Sequence, residues 1–243
     1  MVLFSCKDSS SPPLPPPDTD DLFSFKKYVL NDDNGEIVST EMHISDFQSA
    51  ENCKSCHSKH WEEWSQSMHA YSMTDPVFFT GWNDAQHEYP QTGERFCIQC
   101  HSPAAFVTDA GQNLAEYTSA DSFPDSLEAI SDGIGCVICH SMTDESPGII
   151  ADETVAANAD YFLNPGEGVF YGSIPDPHSN EYHESIYNPI FSNSRLCLPC
   201  HNITIRGVEV EITFDEWKII PASQMGLISC QECHMPTDYR PAA

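Results

Sequence analysis

Apolar positions along this 243-residue chain fall in short, interrupted runs. No stretch approaches the roughly 20 consecutive apolar residues of a membrane-spanning helix. Two places carry a readable period. In CKSCHSKHWEEWSQSMHAYSM, residues 53–73, the positions of His57, Trp61 and Trp64 recur at i, i+4 and i+7. That spacing predicts a helix with the histidine and both tryptophans on one face. In HNITIRGVEVEITFDEW, residues 201–217, two short β-prone runs, 203–205 and 208–213, flank Arg206-Gly207 and read as a small β-hairpin. Eighteen prolines and joints rich in Asn, Asp and Ser break up the rest. The expectation is a mainly α chain of short helices with much irregular loop and little sheet.

One short pattern recurs through these pieces. The chain reads CKSCH at Cys53, Cys56 and His57; CIQCH at Cys97, Cys100 and His101; CVICH at Cys136, Cys139 and His140; CLPCH at Cys197, Cys200 and His201; and CQECH at Cys230, Cys233 and His234. These five copies use ten of the eleven cysteines. Cys-x-x-Cys-His is the attachment pattern of c-type haem. Its two thiols add to the vinyl groups of one porphyrin, and the histidine that follows becomes the proximal iron ligand. A zinc site needs paired knuckles to reach four ligands, and pairing leaves a fifth knuckle over. A thioredoxin-like site needs one motif in a βαβ setting. Disulfides place no demand for a histidine after every second cysteine. The reading is five covalently bound haem c groups.

Five motifs in this length leave about fifty residues for each. That is too little for each haem to own a protein core, so the porphyrins are expected to form the core, with the chain as a wrapper. The motif starts lie 44, 39, 61 and 33 residues apart, so this is no simple repeat array.

Six histidines lie outside the motifs: His43, His60, His69, His87, His178 and His183. Five irons need five distal ligands, so the supply nearly matches two-histidine ligation throughout. His60 is set aside, because it follows His57 on the same predicted helix and cannot reach the far face of its own haem; it is read as orienting a ligand or propionate, the alternative being ligation of a neighbouring haem. His69 sits far enough along to reach a different haem. The distal candidates are therefore His43, His69, His87, His178 and His183. Methionine is the rival ligand, at Met68, Met73 or Met142, but the histidine count makes it unnecessary. No histidine follows His234, so the fifth iron is the one expected to be open if any is.

The balance of 37 Asp and Glu against 10 Lys and Arg, a formal charge of −27, repels nucleic acid and anionic lipid and favours basic redox partners, cationic minerals or bound divalent metal. The odd cysteine, Cys6, ends Leu3-Phe4-Ser5-Cys6, which resembles a bacterial lipobox. Residues 1–6 then read as the remnant of a lipoprotein signal, 7–22 as a Pro-, Ser- and Asp-rich tether, and 23–243 as the pentahaem domain. Both ends read as abrupt. Haem attachment outside the cytoplasmic membrane implies export, and Cys6 implies a membrane anchor facing the periplasm or the cell surface.

Three segments resemble the multihaem cytochromes related to cytochrome c-554 and hydroxylamine oxidoreductase. The first is residues 53–73, with Trp64, His69 and Ala70. The second is GIGCVICHS, from Gly133 on. The third is the run from Tyr182 to Pro236. The resemblance implies a distal-ligand role for His69 and His183 and leaves His60 a non-ligand. No tyrosine matches the cross-linking residue of hydroxylamine oxidoreductase, and no motif ends in the lysine of pentahaem nitrite reductase. Neither activity is carried over. The reading is an exported electron-transfer cytochrome working between a membrane-side donor and a periplasmic or extracellular acceptor, a carrier rather than a catalyst. The alternatives are a small-molecule reductase with one open haem, and a homo-oligomeric subunit of an extracellular cytochrome filament.

Overall fold

A computed structural model describes residues 26–31, 36–88, 93–108, 123–124, 127–143, 162–166, 168–205 and 208–235. The N-terminal signal remnant, Cys6 and the whole of the tether lie outside the described residues. The architecture is the expected mixture of short helices and irregular loops. Sheet occurs as two-stranded pieces. β1 (Lys26–Asn31) and β2 (Glu36–Glu41) form an antiparallel hairpin ahead of the first motif. No helix among the described residues is long and apolar enough to cross a membrane.

The helix expected from the first motif onward breaks into three: α1 (Glu51–Lys54), α2 (Ser58–Ser65) and α3 (Met68–Tyr71). His57 stands at the first break, with φ −114° and ψ 43°. Ser67 makes the second in extended geometry and caps α3 by accepting from Ala70 N. α4 (Pro76–Glu88) starts on a strong signal. The Asp75 carboxylate accepts from the amides of Val77 and Phe78, both at 2.9 Å, and Pro76 fills the first helical position. α5 (Gly93–His101) ends on the second motif, and α6 (Pro103–Val107) follows after Ser102.

These helices meet α7 (Glu128–Ser131), α8 (Cys136–His140) and the β3–β4 pair (Met142–Thr143, Phe162–Leu163) around one apolar cluster. Met42, Phe47, Met73, Phe79, Trp82, Ile98, Ile130 and Ile138 are among its buried members. Around the first three motifs the chain thus adds a side-chain core of its own to the expected haem packing. The reason is α6 and its neighbours, whose five residues Pro103–Val107 are all buried and supply ordinary side-chain packing.

The C-terminal part differs. β5 (Val169–Gly172) and β6 (Glu184–Tyr187) pair in parallel, so the chain between them, bearing His178 and His183, must cross back over their ends. The predicted hairpin is present as β7 (Ile203–Ile205) and β8 (Val208–Glu211), with a bulge at Ile203/Thr204. It stops at Glu211 because Thr213 opens α9 (Thr213–Lys218). α10 (Pro221–Gln224) and α11 (Cys230–His234) follow. Here the apolar cluster shrinks to Leu198, Phe214 and the flanking Trp217.

Candidate functional site

Local structure presents the five motifs in different ways. Motif 3 is α8, motif 5 is α11, motif 2 is the last turn of α5, motif 1 straddles the α1–α2 break, and motif 4 is a run of turns. α11 begins with a capping box, in which Ser229 and Glu232 each accept from the other's backbone amide. It is tied to motif 4 by Cys230 N donating to Ser194 Oγ at 2.9 Å and Gln231 Nε2 to Asn193 O at 2.7 Å. Motif 1 is tied to motif 3 by Ala50 N donating to Asp132 Oδ2 at 2.7 Å and Trp64 Nε1 to Ile134 O at 2.9 Å. Burial raises the Asp132 carboxyl above its ordinary range, and the hydrogen bonds from Ala50 and Ser49 offset part of that rise.

The thiols of different motifs touch. Cys53 and Cys136 are hydrogen-bonded, which holds Cys53 down at about 7 and pushes Cys136 up. Cys100 bonds Cys200, raising the latter well above the ordinary thiol range, with burial adding to the rise. Cys197 is pushed up to about 12 by burial and by its neighbour Cys230. Cys139 is pushed up to about 11 by burial. Motif 1 therefore meets motif 3, motif 2 meets motif 4, and motif 4 meets motif 5. Cys139 also lies close enough to Cys197 and Cys200 to raise both, which connects motif 3 to motif 4.

The imidazoles are posed for a metal. His101 Nδ1 lies 2.7 Å from Ser72 O, and His140 Nδ1 lies 2.7 Å from Tyr171 O. A carbonyl only accepts, so each Nδ1 carries the proton and each Nε2 keeps its lone pair for iron. Aromatic rings brace both. Phe78 lies flat on His101 at 3.8 Å and 5°, and Phe191 stacks on His140 at 5.5 Å and 18°. Burial lowers the pKa of His69, His101 and His140, favouring the neutral, ligating form. His140 keeps solvent access at its surface, while the protein crowds the rest of its ring.

Two distal candidates stand beside motif histidines. His183 and His57 have ring centres 6.2 Å apart, and so do His69 and His201. A nitrogen-to-metal bond of about 2 Å, with each nitrogen about 1 Å from its ring centre, separates two axial imidazoles by about 6 Å, so both pairs have the spacing of rings that grip one metal from opposite sides. His183 Nδ1 lies 3.3 Å from both Glu184 O and Ser185 Oγ, which leaves its Nε2 free. His60 is also 6.2 Å from His57, but it sits three residues along the same chain and its Nδ1 leans towards Glu63 at 3.8 Å. His43, His87 and His178 are exposed, and among the described residues none has its ring against a motif histidine. The donor set fits covalent haem. Paired thiols precede each histidine on a short turn or helix, His101 and His140 present Nε2, and two second imidazoles stand 6.2 Å from motif histidines. Cys53, Cys56, Cys97, Cys100, Cys136, Cys139, Cys197, Cys200, Cys230 and Cys233 would anchor the groups.

The sequence reading missed the residues that aim these ligands: Ser72, Tyr171, Phe78, Phe191, Asp132 and the glycine at 133. Gly133 alone carried a signal, through GIGCVICHS. It adopts φ 64°, and a Cβ there would lie 2.1 Å from Ser72 Oγ.

Residues 52–141, which hold the first three motifs, match the family described as Cytochrome c554 and c-prime. The fold is similar to that of a penta-heme cytochrome c552 from Thermochromatium tepidum, with a TM-score of 0.52 and 22% identity. That likeness covers 80% of this chain and 55% of the other, so the chain spans a little over half the length of the solved relative. No curated protein matches the chain.

Proposed function

We propose that this multihaem c-type cytochrome is an exported pentahaem electron carrier, working between a membrane-side donor and a periplasmic or extracellular acceptor. The reading rests above all on the contact between thiols of different motifs: Cys53 with Cys136, Cys100 with Cys200, and Cys197 with Cys230. Each thiol is a point of porphyrin attachment, so touching thiols bring the attached rings close to one another. With Cys139 beside Cys197 and Cys200, all five motifs join in one connected set.

Haem c supplies one-electron iron chemistry. The chain does the rest. Ten thiols would fix the groups, and His57, His101, His140, His201 and His234 would supply the first nitrogen to each iron. His69 and His183 would supply a second nitrogen at motifs 4 and 1. The carbonyls of Ser72 and Tyr171 make their imidazoles stronger donors, which favours ferric iron and low potential. The charge of −27 acts in the same direction and favours a basic protein partner over nucleic acid. Cys6 supplies a lipid anchor, and Cys6→Ser should move the mature protein from membranes to the soluble fraction with its haem intact.

A second reading, a reductase of small nitrogen or sulfur oxyanions, is favoured by one observation. Among the described residues, second imidazoles outside the motifs pair at 6.2 Å with His57 and His201, and His183 and His60 also lie near His140, but none stands beside His101 or His234. A third, the filament subunit, supplies a missing ligand from a neighbouring chain. Carbon monoxide added to the reduced holoprotein separates them. A carrier closed on all irons shows no spectral change. Binding at one haem, with turnover of an oxyanion, replaces the carrier by the enzyme. Binding that vanishes as the protein is concentrated into polymers supports the filament.

A further inference from the structure

The chain between the first two motifs carries a contact point that neither the thiols nor the axial pairs use. Ser72 follows α3 directly. Its hydroxyl lies 2.8 Å from His69 O and 2.9 Å from His101 O. Its own carbonyl accepts Nδ1–H of His101 at 2.7 Å. Gly133 sits over the hydroxyl at φ 64°, and a Cβ there would meet Ser72 Oγ at 2.1 Å, His69 O at 2.9 Å and Met73 N at 3.2 Å. Real Cβ atoms do not approach that closely, so only glycine lets the two segments touch as they do. Ile134 closes the contact by donating its amide to His69 O at 3.1 Å, and its carbonyl takes Trp64 Nε1. One serine thus meets the carbonyl of a distal candidate, both ends of a proximal histidine, and the loop that leads into motif 3.

We propose that Ser72, seated beneath Gly133, is a positioning residue for His101, setting the tautomer and tilt of that imidazole and so holding the potential of the motif-2 iron low. This rests on reading His101 as an axial ligand. A carbonyl that takes the Nδ1 proton pushes electron density to Nε2, and a stronger donor favours the ferric state. Phe78 blocks the opposite face of the ring at 3.8 Å, so a displaced Ser72 carbonyl cannot be followed by rotation of the imidazole. The hydroxyl, shared between two carbonyls, keeps the Ser72 peptide facing His101. Gly133 keeps the hydroxyl where it is.

The test is a spectroscopic redox titration of the holoprotein and four variants. A Cys97→Ala, Cys100→Ala chain lacks the motif-2 haem and identifies its potential by disappearance. Gly133→Ala drives Ser72 away and raises that one potential, by about 59 mV for a tenfold change in its one-electron constant. Ser72→Ala, which introduces no clash and leaves the carbonyl in place, raises the same potential by less. The double variant Gly133→Ala, Ser72→Ala removes the 2.1 Å contact but keeps the 2.9 Å approach to His69 O, so it returns the potential part of the way towards wild type. Potentials unmoved in Gly133→Ala and Ser72→Ala, or all moved together, overturn the proposal, and so does a double variant equal to Gly133→Ala alone. A chain that keeps every haem after loss of Cys97 and Cys100 overturns instead the reading of motif 2, and haem content by mass reports that separately.

Discussion

At the scale of single residues, His69 and His183 carry the most weight, because each stands at metal-bridging distance from a motif histidine. Replacing either with Ala leaves the thioethers untouched, so all haems should remain attached. His69→Ala should open the iron on His201 and His183→Ala the iron on His57, each adding one high-spin signal by electron paramagnetic resonance and raising one potential. Low-spin spectra unchanged in both variants would remove the two assignments. The motifs themselves were legible because covalent attachment imposes a fixed local spacing. The pairing of His69 with motif 4 was not, since it is made by folding across 132 positions of chain. The Asp132 contact to Ala50, 82 positions away, and the Ser72 contact to His101, 29 away, were hidden for the same reason. Gly133 was visible as a glycine but not as the neighbour of Ser72.

At the scale of elements, period and turn chemistry were read correctly where they act locally. The hairpin of β7 and β8 was legible from its two β-prone runs and central Arg-Gly. The long helix over residues 53–73 was not, because its Trp spacing survives breaks at His57 and Ser67 that serve attachment and capping. What the sequence did not reveal is how unevenly side chains add to the core: among the described residues α4–α8 bury a protein core of their own while the α9–α11 region has little. That contrast predicts different dependence on haem. Cys230→Ala with Cys233→Ala should speed hydrogen exchange across 208–235 and leave 73–88 and 93–107 protected. Trp82, 1% exposed, shows the reverse. Its replacement by Ala should cost about 3–5 kcal/mol in global stability without loss of a haem. Equal loss of protection in both regions after removal of the fifth haem would mean the two parts share one core.

At the scale of the whole molecule, the parts join into one path. Thiol contacts link motif 1 to motif 3 and motif 4 to both motif 2 and motif 5, and the proximity of Cys139 to Cys197 and Cys200 connects motif 3 to motif 4. Motif 4 is thus the junction, and it also draws His69 from the first segment and the start of α9, whose Phe214 N donates to His201 O at 2.9 Å. The proposed electron path runs through all five motifs, so it requires every motif to be loaded. The most direct measurement is the intact mass of the exported protein matured with a cytochrome c assembly system. Five covalent haems on one chain is the predicted result. Four or fewer on a chain that is otherwise mature would contradict it, and would break the path at whichever motif stands empty.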